Sequence, residues 1–436
     1  MSRSFRPRRI MLFIGITATL MLVVVGVLAL KIPNKVHAAG STLFVGQFTG
    51  SNTGCASPGF TSVQAAVDAA NAGDTVYLCG TTPFSEQVII TRAITLTGDS
   101  GATIQAPHPF PVTPLTRLPS QFTTDNLFVP QAIVIVWGAG SNATITNLTI
   151  AGVLPGNGSC ADEEFGVLVI ADGTATLSGD QVRDIRDSNP ALYGCQFGDG
   201  IRIGRRYWPT ANFSAFLVEN FVGHAAITNT MVSGYQKNGI TIDGPGTTAD
   251  VRGNTVNGAG RDTLLAPIIA QNGIQVSRGA SAQVRGNTVT GNSYTGSSFA
   301  SSGGILIFGG CGDPLVTGVQ VMGNTLINND VGIYLNNFTD DCSAPATTMT
   351  NDKAVNNTIS NDTVTNVGDG TSSGFPYKGY QAGIDDIGNN DKIINNTISG
   401  AGYTPAQTTQ GGPFVMPIDT SSFQTISPKV HANAIR

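Results

Sequence analysis

Val251-Arg252-Gly253-Asn254-Thr255-Val256, Val284-Arg285-Gly286-Asn287-Thr288-Val289 and Val321-Met322-Gly323-Asn324-Thr325-Leu326 are three copies of one unit. Looser copies end in Asn357-Thr358-Ile359 and Asn396-Thr397-Ile398, and earlier relatives are Ile145-Thr146-Asn147-Leu148-Thr149-Ile150 and Ile227-Thr228-Asn229-Thr230-Met231-Val232. A second unit, Gly-apolar-x-apolar, alternates with the first. It reads Gly200-Ile201-Arg202-Ile203, Gly239-Ile240-Thr241-Ile242, Gly273-Ile274-Gln275-Val276, Gly304-Ile305-Leu306-Ile307 and Gly332-Ile333-Tyr334-Leu335, with Gly383-Ile384-Asp385 as a degenerate last copy. From Gly239 the steps to Gly273, Gly304 and Gly332 are 34, 31 and 28 residues. Apolar residues two apart turn one face of a strand inward. Between these strands no segment has a helical period, so no crossover helices exist to build a doubly wound sheet. Short parallel strands repeating without helices leave an all-β solenoid of stacked coils.

The repeated Asn fits that winding. Asn tolerates left-handed backbone and bonds local backbone with its amide. Stacked once per coil, Asn254, Asn287, Asn324, Asn357 and Asn396 are placed to donate and accept along the solenoid axis, which satisfies amides that are costly to bury unpaired.

Composition agrees. Charged residues are 12% of the 436, about half the usual ~25%, and 54 Gly with 22 Pro make roughly one residue in six. Hydrophobic residues at 41% exclude wholesale disorder. Residues 1–38 hold six of the 23 Lys and Arg and none of the 28 Asp and Glu, which leaves the remainder at a net charge of −11. That acidity excludes a nucleic-acid partner, since phosphate recognition wants a basic face. It also mildly disfavours a strongly anionic polymer unless a bound cation intervenes.

Residues 1–39 read as a targeting segment. Arg3, Arg6, Arg8 and Arg9 precede an uncharged run from Ile10 to Leu30, and Val36-His37-Ala38-Ala39 offers a cleavage site. The run is long enough to span a bilayer. A cleaved signal peptide and an uncleaved anchor are the two readings, with residues 10–30 the only membrane contact, and both place the rest in a secreted or extracellular setting. The expected organisation is a leader over 1–39, a β-helix domain over 40–403, and a closing strand or tail over 404–436.

Six cysteines lie beyond the leader: Cys55, Cys79, Cys160, Cys195, Cys311 and Cys342. They allow 15 connectivities. Sequential pairing is favoured, because the second and third pairs each span about one coil. The first pair brackets Val63, Ala66, Val67 and Ala70, whose spacing predicts a short helix capping the first coil, with Gly73 and Asp74 ending it.

The segment Phe60 to Asp99, with Ala-Gly-Asp-Thr-Val at 72–76 and Ile94-Thr95-Leu96-Thr97-Gly98, resembles the entry region of pectin-lyase-like right-handed parallel β-helix proteins. The Gly-Asn-Thr units resemble the same superfamily's repeat, over roughly residues 43–403. The resemblance implies a right-handed parallel β-helix. It leaves activity open, because the superfamily includes lyases, hydrolases, epimerases, adhesins and tailspikes.

In the Gly-apolar-x-apolar strands the middle residue points outward. Stacking gives a row expected to be exposed, Arg202, Thr241, Gln275, Leu306, Tyr334 and Asp385, beside a second row of Gly204, Asp243, Ser277, Phe308 and Asn336. Enzymes resembling this fold place their groove over this sheet. Arg202, Asp243 and Asp385 are the candidate catalytic residues. Gln275, Tyr334 and Asn336 are candidate sugar contacts, together with Tyr207 and Trp208 of the Arg202–Trp208 cationic-aromatic stretch, since rings stack on aromatics and hydroxyls take hydrogen bonds. Lyase or epimerase chemistry in this superfamily uses an Arg or Lys base, for which Lys237, Arg261 and Lys378 are further candidates. Hydrolysis needs paired carboxylates. Thr339-Asp340-Asp341-Cys342 resembles the Asp-Asp-Cys of polygalacturonases, but no Gly-His-Gly accompanies it, and Gly223-His224-Ala225 precedes it. No catalytic residue transfers from that family. Metal spacing by His or Cys is absent, no cofactor is implied, and calcium on carboxylates is the one ion left open. Two readings follow: a surface or extracellular β-helix that binds polysaccharide or glycan without established catalysis, and a polysaccharide lyase or uronate epimerase.

Overall fold

The computed structural model describes residues 40–46, 52–110, 130–155, 160, 163–204, 222–260, 263–296, 300–360, 381–399, 415–420 and 424–436. The leader, Arg205, Arg206, Tyr207, Trp208, Arg261 and Lys378 lie outside them. Among the described residues no helix is long and apolar enough to cross a membrane.

Among the described residues three all-parallel sheets of 12, 10 and 11 strands wind into a solenoid. One coil shows the pattern. Asn238–Asp243 joins the ten-stranded sheet, Thr248–Arg252 the twelve-stranded one and Thr255–Asn257 the eleven-stranded one, before a loop leads to Asn272–Ser277 one layer up. Ile201, Ile240, Ile274, Ile305, Ile333 and Ile384 stand in register and are fully buried, as are Val232, Val256, Val289, Leu326, Ile359 and Ile398 on another wall. Each such side chain contributes about 1.5–3 kcal/mol of burial.

The two invariant residue types of the repeat have different causes. A Cβ on Gly239 would lie 2.4 Å from Val256 Cγ1 and 2.6 Å from the Gly273 carbonyl oxygen, and Gly200, Gly273 and Gly304 meet the next coil's carbonyl equally closely. These glycines are therefore set by close approach between layers. The Asn residues form the expected ladder. Asn254 Nδ2 donates to Asn287 Oδ1 at 3.0 Å, and Asn287, Asn324, Asn357 and Asn396 repeat that bond to Asn324, Asn357, Asn396 and Asn433. Each Nδ2 also donates backward to a backbone carbonyl, as Asn324 does to Val284 O at 2.9 Å.

At the front, the Val63–Ala69 helix buries Val63, Ala66 and Val67 over the first coil. Ser62 caps it, and Glu86 accepts from the Val63 and Gln64 amides at 2.9 and 3.0 Å. The cysteines pair sequentially, Cys55–Cys79, Cys160–Cys195 and Cys311–Cys342. Such bonds persist in oxidising compartments, which favours an extracellular protein. Past residue 403 the chain still winds: Val415–Asp419, Lys429–His431 and Ala434–Ile435 each extend one of the three sheets.

Candidate functional site

The ten-stranded sheet aligns its outward residues as the repeat implies. Arg202, Thr241, Gln275, Leu306, Tyr334 and Asp385 are consecutive register partners, and Asp243, Ser277, Phe308 and Asn336 form the second row. The expected exposure is corrected. Arg202 is 9% exposed, Gln275 7%, Tyr334 9%, Asn336 8%, Asp385 2% and Asp243 not at all. A row of polar side chains stays buried here because its members bond one another.

Arg202 is the hub. Its Nη1 donates to Asp199 Oδ2 at 2.7 Å and its Nη2 to Asp243 Oδ2, while its guanidinium sits 5.7 Å from the Phe165 ring centre. Asp243 Oδ1 also accepts from Ser277 Oγ at 2.8 Å and Arg278 Nη1 at 3.1 Å, and Arg278 Nε reaches Asp313 at 3.2 Å. The amides continue the net: Gln275 Nε2 donates to Ser277 Oγ at 2.9 Å, and Asn272 Nδ2 to Asn238 Oδ1 at 3.1 Å.

Charge and burial divide the acids. Burial raises the Asp199 carboxyl above its ordinary value although Arg202 pulls it down. Burial acts on Asp243 as well, but Arg202 and Arg278 together outweigh it and hold that carboxyl below the usual range. Lys237 donates to the Ala270 carbonyl at 2.7 Å, and burial lowers its ammonium to about 8 against the opposing field of Asp199. Higher on the sheet, Asn336 Nδ2 donates to Asp385 Oδ2 at 3.1 Å, and Tyr334 hydroxyl bonds Ser301 Oγ. The Asn336 Oδ1 atom is buried without a hydrogen-bond partner among the described residues.

The structure thus brings Arg202, Asp243 and Gln275 into one network and sets Tyr334, Asn336 and Asp385 further along the same face. Asp340 and Asp341 are apart, in an exposed turn where Asp341 accepts from Thr339 Oγ1 at 2.6 Å. His224 is on the twelve-stranded sheet, its Nδ1 2.8 Å from Thr248 Oγ1. Asp199, Asn238 and Asn272 were missed as a third outward row. The signal was present, since each immediately precedes a repeat glycine and the three are register partners. No group of three or more His, Cys, Asp or Glu suited to a metal occurs among the described residues.

A second acid set lies inside the solenoid. Asp386 stands in register with Leu335, in the interior column that Ile203, Ile242, Val276 and Ile307 fill in earlier coils. Its carboxyl bonds the Asp391 carboxyl and has no other hydrogen-bond partner among the described residues. Burial, then Asp391, pushes its carboxyl up to about 9. Asp391 itself rises to about 6 through burial, although Thr350 Oγ1 donates to it at 2.6 Å.

Residues 132–331 match the family model described as "Right handed beta helix region". Solved structures with similar folds include the GH136 lacto-N-biosidase from Eubacterium ramulus, at 13% identity and a TM-score of 0.47, covering 91% of this chain and 68% of that one. The polygalacturonase from Erwinia carotovora ssp. carotovora aligns at 12% identity and a TM-score of 0.38, over 91% and 97% of the two chains. The catalytic domain of a GH87 alpha-1,3-glucanase aligns at 11% and 0.37, over 90% and 69%. Likenesses this low carry no residue role and no activity across. No curated protein matches the chain by sequence. With its three all-parallel sheets and a matching repeat region over residues 132–331, the chain folds as a right-handed parallel β-helix.

Proposed function

We propose that this is an extracellular carbohydrate-binding protein whose ligand lies over the outer face of the ten-stranded sheet. The observation that carries the reading is the concentration of fixed polar groups there. Arg202, Asp243, Ser277, Gln275 and Asn272 hold one another in single orientations, and the buried Asn336 carbonyl oxygen has no hydrogen-bond partner among the described residues. Sugar hydroxyls donate and accept at once, so prealigned amides and carboxylates suit them, and preorganisation lowers the cost of binding. Titration of the full chain with a panel of neutral and uronate polysaccharides tests this. Gln275→Ala and Asn336→Ala are expected to weaken the ligand found by about tenfold or more, a loss of some 1.4 kcal/mol. Binding by no polysaccharide, or binding that both variants retain, overturns it.

One observation favours a lyase or epimerase on the same face. Proton abstraction beside a uronate carboxylate needs a base that is neutral near working pH, and Lys237 is lowered to about 8. Arg202, engaged by two carboxylates, is not deprotonated in proteins. In that reading Lys237 is the base and Arg202 positions charge. Turnover, followed by the ultraviolet absorbance of unsaturated uronates or by epimer ratio, then rises with pH through about 8 and is lost in Lys237→Gln with binding retained. A turnover unchanged in that variant removes Lys237 from the chemistry.

A further inference from the structure

Beyond residue 39 the chain has five lysines, Lys237, Lys353, Lys378, Lys392 and Lys429. Three of them form one column: Lys353 pairs in register with Lys392, and Lys392 with Lys429, on the outer face of the twelve-stranded sheet. Adjacent strands are about 4.8 Å apart. Like charges directly opposite on neighbouring strands repel and are normally avoided. In an acidic chain with so few lysines, the stack opposes both electrostatics and composition.

Among the described residues the surroundings offer it no internal counter-charge. No ion pair joins the three lysines to any described acidic side chain. The acids next to them in sequence, Asp352 and Asp391, are turned inward and fully buried. One flank carries Asn351 and Asn390, joined by a 2.7 Å bond, and the other reads Val355, Ile394 and His431 in register, apolar beside Lys353 and Lys392 and an imidazole beside Lys429. A cationic column, half-buried at Lys353 and Lys392 and exposed at Lys429, with apolar side chains beside its first two layers, matches one ligand geometry. A linear polyanion can lie along the solenoid axis, its charges against the lysines and its apolar faces on Val355 and Ile394.

We propose that this face binds a polysaccharide bearing one carboxylate per sugar residue. The advance of an extended pyranose chain per residue is close to one strand spacing, so successive residues meet successive lysines, whose long stems reach either edge of the ribbon. Val355 and Ile394 suit the C–H faces of sugar rings. Neither is an aromatic side chain on which unpaired bases stack, and this separates the polyuronate from a nucleic acid. The site is independent of the ten-stranded face and stands whether or not that face binds sugar.

The test is calorimetric titration of the full chain, in EDTA, with sodium polymannuronate, with its carboxyl-reduced neutral counterpart, and with single- and double-stranded DNA. Polymannuronate is expected to bind with an affinity that falls as salt is added, and the neutral polymer and DNA to bind at least about tenfold more weakly. The combined Lys353→Gln, Lys392→Gln and Lys429→Gln variant is expected to lose about tenfold or more in affinity for polymannuronate. Its thermal midpoint should be no lower than the parent's, because repulsion is relieved. The matching triple Arg variant should keep the affinity, and ligands of the ten-stranded face should be unaffected by either. Undetectable polymannuronate binding by the parent overturns the proposal. So does equal binding of the neutral polymer, tighter binding of DNA, or a triple Gln variant that binds as the parent does.

Discussion

Asp386 gives the fold an unusual dependence on pH. Eight earlier coils place an aliphatic side chain at its interior position, and here a carboxyl stands beside Asp391 with no cation paired to it among the described residues. The folded state therefore holds a proton that the unfolded chain, with an ordinary carboxyl near ~3.9, has already released. The folded-state value is raised, so the stabilisation is complete at about pH 4 and below and is lost as pH rises towards about 9. One such proton changes the unfolding free energy by about 1.4 kcal/mol per pH unit. Between pH 5 and 8 the proton shared by the Asp386–Asp391 pair accounts for lost stability on the order of 4 kcal/mol. Asp386→Asn mimics the protonated acid and can donate to Asp391. Urea unfolding of parent and variant, extrapolated linearly, is expected to give similar stabilities near pH 5. Near pH 8 the variant should be ahead by about 4 kcal/mol. A parent equally stable at both pH values, or an Asn variant that loses as much as the parent, refutes the reasoning.

Other substitutions separate the remaining contributions. Asn324→Ala strands the Asn287 amide, the Asn357 carbonyl oxygen and the Val284 carbonyl, and should cost about 3 kcal/mol or more in chemical denaturation; Asn433→Ala, at the half-exposed last rung, should cost less than half as much. Gly239→Ala drives a methyl into the next coil's backbone and should be destabilising by about 3 kcal/mol or fail to fold, whereas Gly286→Ala, in open space at φ +62°, should lower stability by about 1 kcal/mol. Arg202→Gln leaves Asp199 and Asp243 buried without their shared cation and should cost about 3–5 kcal/mol near neutral pH, read by thermal unfolding. Cys55→Ser with Cys79→Ser unpins the cap and should lower stability by about 2–4 kcal/mol.

Periodicity made the frame legible. The apolar-x-apolar strands, the Asn turn and the amphipathic helix at Val63–Ala69 each obey a local rule, and stacking repeats that rule in every coil. The outward row was legible for the same reason, since register follows from aligning the repeat glycines. Its burial was not, because the covering of a sheet face depends on loops that share no repeat. Asp386 shows the limit most sharply: Ile384-Asp385-Asp386 reads as the end of a degrading motif, and only register reveals that the second acid replaces an interior Leu or Ile. The lysine column was hidden in the same way. Lys353, Lys392 and Lys429 are 39 and 37 residues apart in sequence, and nothing local links them.

The Asn ladder turns only one of the solenoid's three corners. Along the ladder the spacing at that corner is constant: two residues separate Arg252 from Thr255, Arg285 from Thr288, Met322 from Thr325, Val355 from Thr358 and Ile394 from Thr397. In these coils the variation in length is thereby pushed to the two corners that border the ten-stranded sheet. Insertions can lengthen the rims of that sheet without disturbing a single rung, so the scaffold is free to reshape what meets its most polar face while its winding stays the same.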